Sequence, residues 1–124
     1  ALGNRRCGLF TNSRALAAQV EAGAAAACER VWELPCDENL RRVLDSRVAH
    51  LKNSAMGSNV GGYATVGAMF IKEFAEDTPW VHLDIGGTAW TTECEGIYTK
   101  GGIGFGTRML YETLKEMEKE GQRT

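Results

Sequence analysis

The segment VHLDI, residues Val81–Ile85, constrains the possible fold of this chain more than any other stretch. Its apolar residues alternate with His82 and Asp84, and Gly86 and Gly87 follow directly. Side chains two residues apart in a strand point to the same face of a sheet. The segment is therefore predicted to be a strand with one apolar side and one polar side, which ends in a glycine turn.

Helical patterns flank this strand along the chain. Recurring apolar positions predict helices over residues 14–32, 38–46 and 64–77, and a last helix that begins at Thr107. A second strand is predicted at Cys7–Asn12. Because alternating helices and strands are typical of the α/β class, we expect part of a mixed central sheet flanked by helices.

This predicted sheet is incomplete on its own. Two or three strands are few for a sheet that helices cover on both faces, so we expect the remaining strands in upstream sequence or in a partner chain. The chain also begins at Ala1 without an initiator methionine. Residues 1–124 therefore read as a sequence that is entered partway through a single domain.

Several local features of the helices follow from residue type. Asn12 or Ser13 can cap the first helix by accepting from its free backbone N–H groups, and Asp37 can cap the second. Gly23 costs about 1 kcal/mol against alanine inside a helix. A glycine at this position therefore predicts a kink or close packing.

The apolar stripes of the last two helices are expected to face the core. In the helix over 64–77, the stripe consists of Val66, Met69, Phe70 and Phe74. In the last helix, it consists of Leu110, Leu114 and Met117. The terminal residues KEMEKEGQRT are expected to fray into solvent.

Charge and hydropathy exclude two classes of partner. The 14 basic and 16 acidic side chains give a net charge of −2, which leaves no electrostatic footprint for nucleic acid or an anionic membrane. Hydrophobic residues make up 44% of the chain, yet no apolar run approaches the roughly 20 residues that a membrane-spanning helix needs. We therefore expect neither nucleic-acid binding nor membrane insertion.

The four cysteines, at positions 7, 28, 36 and 94, form no CxxC pair and have no histidine at zinc-finger spacing. Their wide spacing favours free thiols in a reducing compartment over disulfides. Cys28 lies on a predicted helix face and is expected in the core. The three tryptophans, Trp32, Trp80 and Trp90, are interpreted as separate packing anchors.

The pair His82 and Asp84 has two interpretations. With Glu93 or Glu95, the pair could form a mononuclear metal site. Alternatively, both side chains hydrogen-bond the backbone at the end of the strand and fix the turn after it. The only other histidine, His50, is expected on the surface, so no second imidazole is available. We favour the supporting role.

Two glycine-rich segments precede predicted helices. Gly101–Arg108 could cradle an anion, because free N–H groups and the dipole at a helix N-terminus both favour negative charge. It lacks the GK[ST] sequence and βαβ context of a nucleotide-binding loop, so we favour a tight turn with close backbone packing. Gly57–Gly62 offers only backbone donors, and we interpret it as a structural turn, with a substrate-lining loop as the alternative.

Several blocks of the chain, read in order, resemble one family. The blocks are ALGNRRCGLFTN, ERVWELP, FIKEF, TPWVHLDIGGTAW and KGGIGFGTRML, and they extend from Ala1 to about Leu114. They resemble the closing third of the leucyl (cytosol) aminopeptidases. The block TPWVHLDIGGTAW is long and specific, and the order and spacing of the others agree with it.

The resemblance implies a cytoplasmic hexameric enzyme that removes N-terminal amino acids, leucine in preference, from peptides. It also implies two divalent metal ions, zinc with manganese or magnesium exchangeable at one site, which activate a water molecule. The motifs that carry the metal-binding lysine and carboxylates, NTDAEGR among them, are absent from this chain. We therefore assign no catalytic residue and no metal ligand, and we expect the chain alone to be inactive.

The resemblance assigns residues of this chain only to the substrate pocket. The stretch after HLDI shapes the pocket for the first side chain of the substrate, and it corresponds to Gly86 and Ala89. A third pocket position corresponds to Met56 when counted back from FIKEF, or to Ser54 when counted forward from VAHLKN, and we prefer apolar Met56. Gly86 stands where the family usually has alanine and His50 where it usually has aspartate, which puts the substrate preference in question.

A non-catalytic alternative stays open at this point. The missing metal ligands also fit a structural or assembly subunit that retains the aminopeptidase fold. Upstream sequence with the metal-binding motifs would favour the enzyme, whereas degenerate motifs would favour the subunit.

Overall fold

The computed structural model describes residues 1–121. The elements follow in the order β1 (Cys7–Thr11), α1 (Arg14–Ala26), β2 (Val31–Glu33), α2 (Glu38–Arg41), a 3₁₀ turn (Arg42–Leu44), α3 (Tyr63–Ala75), β3 (Val81–Asp84), β4 (Trp90–Thr91), β5 (Gly101–Gly102) and α4 (Thr107–Gly121). The tail that was predicted to fray is helical up to Gly121, and its last three residues lie outside the described residues. No helix within residues 1–121 is long and apolar enough to cross a membrane.

The strand β1 lies at the centre of a three-stranded mixed sheet in the order β2–β1–β3. β2 runs parallel to β1, with Cys7 opposite Val31, and β3 runs antiparallel, with Phe10 opposite His82. β4 and β5 form a separate antiparallel ribbon. The predicted α/β class, with a mixed sheet flanked by helices, is confirmed.

The first helix is shorter than predicted, and residues assigned to its end form β2 instead. The helix stops because Cys28 adopts a left-handed conformation with φ of 56°. The N–H groups of Cys28 and Glu29 donate to the carbonyls of Ala25 (3.2 Å) and Ala24 (2.9 Å), which is the Schellman pattern. Glycine usually occupies this position, so a cysteine there is no sequence signal for the end of a helix. Cys28 is exposed, so the prediction that it lies in the core is wrong.

Helices cover both faces of the sheet. Leu9 and Phe10 are successive residues of β1, so their fully buried side chains point to opposite faces. Leu9 packs with the apolar face of α1 and with Met109 of α4. Phe10 packs with Ala68 of α3 and with Trp80. The sheet is therefore the middle layer between the pair α1–α4 and α3.

The face of α4 that contacts α1 differs from the prediction. Met109 and Thr113 are buried. Of the stripe predicted to face the core, Leu110 and Leu114 are exposed and Met117 is half-buried. A Cβ atom on Gly23 would lie 2.2 Å from Oγ1 of Thr113, so α1 and α4 pack closely at this glycine. Close packing at Gly23 is confirmed, and it excludes the leucine stripe from the interface.

The predicted caps of the first two helices are confirmed. Oγ of Ser13 accepts from the N–H of Leu16 at 3.3 Å, and Oδ1 of Asp37 accepts from the N–H of Asn39 at 2.9 Å. Each bond satisfies a backbone donor that the first turn of a helix leaves free.

Three aromatic side chains that were predicted to be buried lie on the surface. Trp32, Phe74 and Trp90 are each more than half exposed. Trp32 belongs to the edge strand β2, and Phe74 lies near the end of α3, where its ring contacts Phe70 at a centroid distance of 5.2 Å. Trp80 is buried, as expected for a packing anchor.

Candidate functional site

The turn after β3 is held by Asp84. Its Oδ1 accepts a hydrogen bond from the N–H of Gly86 at 3.0 Å. The N–H groups of Thr88 and Ala89 both donate to the carbonyl of Ile85 at 2.9 Å, which closes a single helical turn. The interpretation of Asp84 as a residue that fixes this turn is confirmed.

His82, two residues earlier in β3, packs against the core. Its ring centroid lies 5.9 Å from that of Phe10, and the two rings are tilted by 41°. Burial lowers the pKa of His82, and the charge of Asp84 partly opposes this shift. Within residues 1–121, the His82 side chain makes no hydrogen bond to the backbone, so that part of the interpretation is wrong, and His82 supports the end of the strand by packing against Phe10.

The carboxylates near this turn do not form a metal site. Residues 1–121 contain no group of three or more histidine, cysteine, aspartate or glutamate side chains that could hold a metal ion. Glu95, which was considered as a partner of His82 and Asp84, pairs with Arg5 at 2.6 Å. The mononuclear site is therefore wrong for the described part of the chain. The two metals implied by the family resemblance have no ligand set among these residues either.

The two glycines of the turn have different surroundings. A Cβ atom on Gly87 would lie 2.2 Å from the carbonyl oxygen of Gly3, so the absent side chain makes room for the N-terminal segment of the chain. The nearest atom to a Cβ on Gly86 would be Oδ1 of Asp84 at 3.1 Å, and Gly86 is exposed. Gly86 therefore lets the carboxylate of Asp84 approach the turn closely, on the exposed side of the structure.

Ala89 is half-buried and is tied to the glycine-rich segment Gly101–Arg108. Its carbonyl accepts from the N–H of Ile103 at 3.0 Å. The strand β4 begins directly after Ala89 and pairs with β5, the first part of the same segment. Gly86 and Ala89 therefore lie on one short turn whose far end is fixed by the β4–β5 ribbon.

Met56, the third predicted pocket residue, lies in a different part of the structure. It is 88% exposed in the loop before α3, and its N–H donates to Oγ of Ser54 at 3.1 Å. It lines a cavity of about 350 Å³ together with Tyr63 of α3. Neither Gly86 nor Ala89 lines that cavity. The described residues thus do not bring the three predicted positions together.

The loop Gly57–Gly62 has the backbone of a structural turn. Gly57, Gly61 and Gly62 all have positive φ angles, which favour glycine. A Cβ atom on Gly62 would also lie 2.8 Å from Cδ1 of Leu40. Both the conformation and the close contact require glycine directly before α3, which supports the structural interpretation.

The anion cradle at the start of α4, which was considered but not favoured over a tight turn, is filled by a side chain of the chain itself. Glu29 is 4% exposed, and its Oε2 accepts from the N–H groups of Gly106 (3.1 Å) and Met109 (3.2 Å). Its Oε1 lies 3.7 Å from Nη2 of Arg108. Free N–H groups and the helix dipole favour a negative charge at this end of a helix, and Glu29 supplies it. The glycine-rich segment is therefore an internal anion site.

Sequence reasoning did not identify Glu29. The residue follows the left-handed Cys28, which the sequence did not reveal, and its backbone partners are 77 and 80 residues away. Glutamate is also rarely buried unless it is paired. The one available signal was the possible anion cradle at Gly101–Arg108, which requires a negative group but does not identify the residue that supplies it.

The fold and this geometry can be compared with known proteins. The family model described as "Cytosol aminopeptidase family, catalytic domain" matches residues 1–111. The chain belongs to the cytosol aminopeptidase family. Two curated members, from Gloeobacter violaceus and Aquifex aeolicus, are each named "Probable cytosol aminopeptidase" and are each 46% identical to this chain, over 110 and 119 residues. These matches cover 89% and 94% of the chain.

A solved structure similar to this member of the cytosol aminopeptidase family is "Bottromycin maturation enzyme BotP in complex with Mn". It is 38% identical in sequence, with a TM-score of 0.81, and the match covers 94% of this chain and 26% of that one. The chain covers 21% and 24% of the two curated relatives. It therefore spans about a fifth to a quarter of the length of the proteins it matches.

Proposed function

We propose that residues 1–124 are the C-terminal portion of the catalytic domain of a di-metal leucyl-type aminopeptidase. The complete protein hydrolyses N-terminal residues from peptides, and this chain supplies part of the fold and one wall of the substrate pocket. The family match over residues 1–111 carries the proposal. The curated relatives, named as cytosol aminopeptidases, support it.

The proposed pocket wall consists of Gly86, Ala89 and Met56. Gly86 is exposed and has no side chain, and Ala89 presents only a methyl group from a hydrogen-bonded turn. Burial of a leucine side chain contributes about 2 kcal/mol, and these small residues leave room for one. In the complete protein, Met56 contributes a flexible apolar side chain to the same pocket.

The proposed metal centre holds two divalent ions, zinc or manganese and magnesium. A solved relative in complex with Mn supports a divalent metal. Such a centre supplies Lewis-acid activation of water. Residues 1–121 do not fit the role of ligands, because they contain no suitable cluster of side chains. The proposal therefore assigns the metal ligands to upstream sequence of the complete protein.

The complete protein is further proposed to be a cytoplasmic homohexamer that binds peptides. The word "cytosol" in the names of the relatives supports the compartment, and the hexamer follows from the family resemblance alone. None of the comparisons favours the alternative of a non-catalytic subunit.

The test compares the complete protein with the isolated chain, each supplied with zinc or manganese. We expect the complete protein to cleave leucine p-nitroanilide, to bind two metal ions per subunit by elemental analysis, and to elute as a hexamer. The isolated chain should do none of these. A metal-loaded complete protein without activity would favour the non-catalytic subunit. Tight zinc binding by the isolated chain that Asp84→Ala abolishes would contradict the assignment of the ligands.

A further inference from the structure

The buried carboxylate of Glu29 joins two distant segments of the chain. Its own backbone is fixed by the Schellman pattern at the end of α1, where its N–H donates to the carbonyl of Ala24 at 2.9 Å. Its Oε2 accepts from the N–H groups of Gly106, directly before α4, and Met109, in the first turn of α4. Because both donors belong to the backbone, the carboxylate fixes the path of the main chain at this point.

The segment that Glu29 holds leads directly to the turn after β3. Ile103 lies three residues before Gly106, and its N–H donates to the carbonyl of Ala89 at 3.0 Å. Glu29, Ile103 and Thr88, the neighbour of Ala89, also line one cavity of about 440 Å³. Two hydrogen bonds and the backbone of residues 103–106 therefore connect the carboxylate to Ala89.

We propose that Glu29 is a positioning residue that sets the shape of the substrate pocket through Ala89. The inference rests on the proposed function, since Ala89 is a pocket wall only in that reaction. Without the carboxylate, the N–H groups of Gly106 and Met109 lose their acceptor and the segment before α4 relaxes. Ala89 moves with Ile103, and the pocket loses its fit to a leucine side chain.

The test is substrate discrimination by the complete protein with Glu29→Ala, which removes the acceptor of both N–H groups, and with Glu29→Gln, whose amide oxygen can still accept but carries no charge. The measurement is kcat/KM for leucine p-nitroanilide divided by kcat/KM for alanine p-nitroanilide. We expect this ratio to fall about tenfold in Glu29→Ala and less in Glu29→Gln, within the range that differences of one or a few methylene groups give in an apolar pocket. The loss should appear mainly as a higher KM for the leucine substrate. Glu21→Gln, an exposed change on α1, is the matched control and should keep the ratio of the wild type.

Two further measurements separate positioning from folding. The ratio does not depend on the folded fraction, because partial unfolding lowers both rates equally. Glu29→Asp keeps the charge on a shorter side chain and should recover part of the ratio. In Glu29→Ala, added formate can occupy the vacated site between the two N–H groups and should restore discrimination, whereas chloride at equal ionic strength should not.

The possible outcomes distinguish this inference from the proposed function. An active protein with the wild-type ratio in both Glu29→Gln and Glu29→Ala would overturn the role of Glu29 and leave the aminopeptidase assignment intact. Absence of hydrolysis by the metal-loaded wild type would overturn both. A lowered ratio that formate restores in Glu29→Ala supports the positioning role.

Discussion

The carboxylates of Glu29 and Asp84, like that of the helix cap Asp37, accept hydrogen bonds from backbone N–H groups of the chain itself. Glu29 satisfies donors at the start of α4, and Asp84 satisfies a donor in the turn after β3. Unpaired donors of this kind are costly when they are buried. At the scale of residues, the acidic side chains that resemble ligands are therefore structural. The residues proposed to contact the substrate are the small ones beside them, Gly86 and Ala89.

The stability of the chain is expected to depend on pH through His82. Burial lowers the pKa of His82 in the folded chain. Between the ordinary value of 6.5 and the lower folded value, the unfolded chain therefore binds more protons. Stability should be fully present above about pH 6.5 and should decrease as the pH falls through that window. Urea denaturation between pH 8 and pH 5 measures the effect.

The matched variants for this prediction are His82→Gln and His50→Gln. His82→Gln should make the stability less dependent on pH below pH 6.5. His50→Gln removes an imidazole from an exposed position and should leave the pH dependence of the wild type unchanged. If the curve of His82→Gln follows that of the wild type, the pH dependence has another origin.

The reactivity of the four thiols should follow their burial. Burial, with smaller contributions from the charges of Asp84 and Glu29, raises the pKa of Cys7 to about 12, so little thiolate forms at pH 8. Cys28 and Cys94 are exposed, and Cys36 is half-buried with a pKa also raised by burial. N-ethylmaleimide should modify Cys28 and Cys94 first, Cys36 more slowly, and Cys7 only in urea. Peptide mass spectrometry follows each site, and early labelling of Cys7 would show that β1 opens in the folded chain.

At the scale of elements, two helical glycines give opposite predictions. In Gly23→Ala, the new Cβ would lie 2.7 Å from the backbone nitrogen of Thr113, so α1 and α4 must separate, at a cost of about 1–3 kcal/mol. In Gly67→Ala on α3, nothing lies within 4 Å of the new Cβ, and alanine should stabilise the helix by about 0.5–1 kcal/mol. Urea denaturation of both variants checks the signs, and a neutral Gly23→Ala would rule out close packing at this crossing.

The elements that the sequence predicted are those with a local signal. The strand in Val81–Ile85 shows alternation and a glycine stop, and the caps at Ser13 and Asp37 depend only on residues within the next turn. β2 was missed because three residues are too few to show a period, and because Cys28 takes the left-handed position usually held by glycine. The inward face of α4 was predicted wrongly. Close packing against Gly23 of α1 buries Met109 and Thr113 of α4, and the predicted apolar stripe does not form this contact.

The candidate site divides in the same way. The turn that carries Gly86 and Ala89 follows from its glycines and from the resemblance of its sequence to the family. Glu29 was missed because its partners lie about 80 residues away in the chain. The position of Met56 depends on the path of the loop before α3. The cavity that Met56 lines does not include Gly86 or Ala89.

At the scale of the whole molecule, the described part of the chain exposes several large apolar side chains. Leu110, Tyr111 and Leu114 lie on one face of α4, and Ile71 and Phe74 lie on α3. Large exposed apolar side chains that share a helix face often mark an interface. In the proposed function, these faces contact the remainder of the aminopeptidase, which matches a chain that spans about a fifth of its relatives.

The double variant Leu110→Gln/Leu114→Gln should therefore improve the solubility of the isolated chain but lower the stability of the complete protein. In the isolated chain, it removes exposed apolar surface, so binding of a hydrophobic dye and self-association should decrease. In the complete protein, the same positions are expected to be buried, and each polar replacement should destabilise by about 1–3 kcal/mol. Glu118→Gln, an exposed change on the same helix, is the control and should change neither property appreciably. Dye fluorescence and light scattering measure the isolated chain, and thermal unfolding measures the complete protein. A complete protein that the double variant does not destabilise would show that this face of α4 stays exposed there.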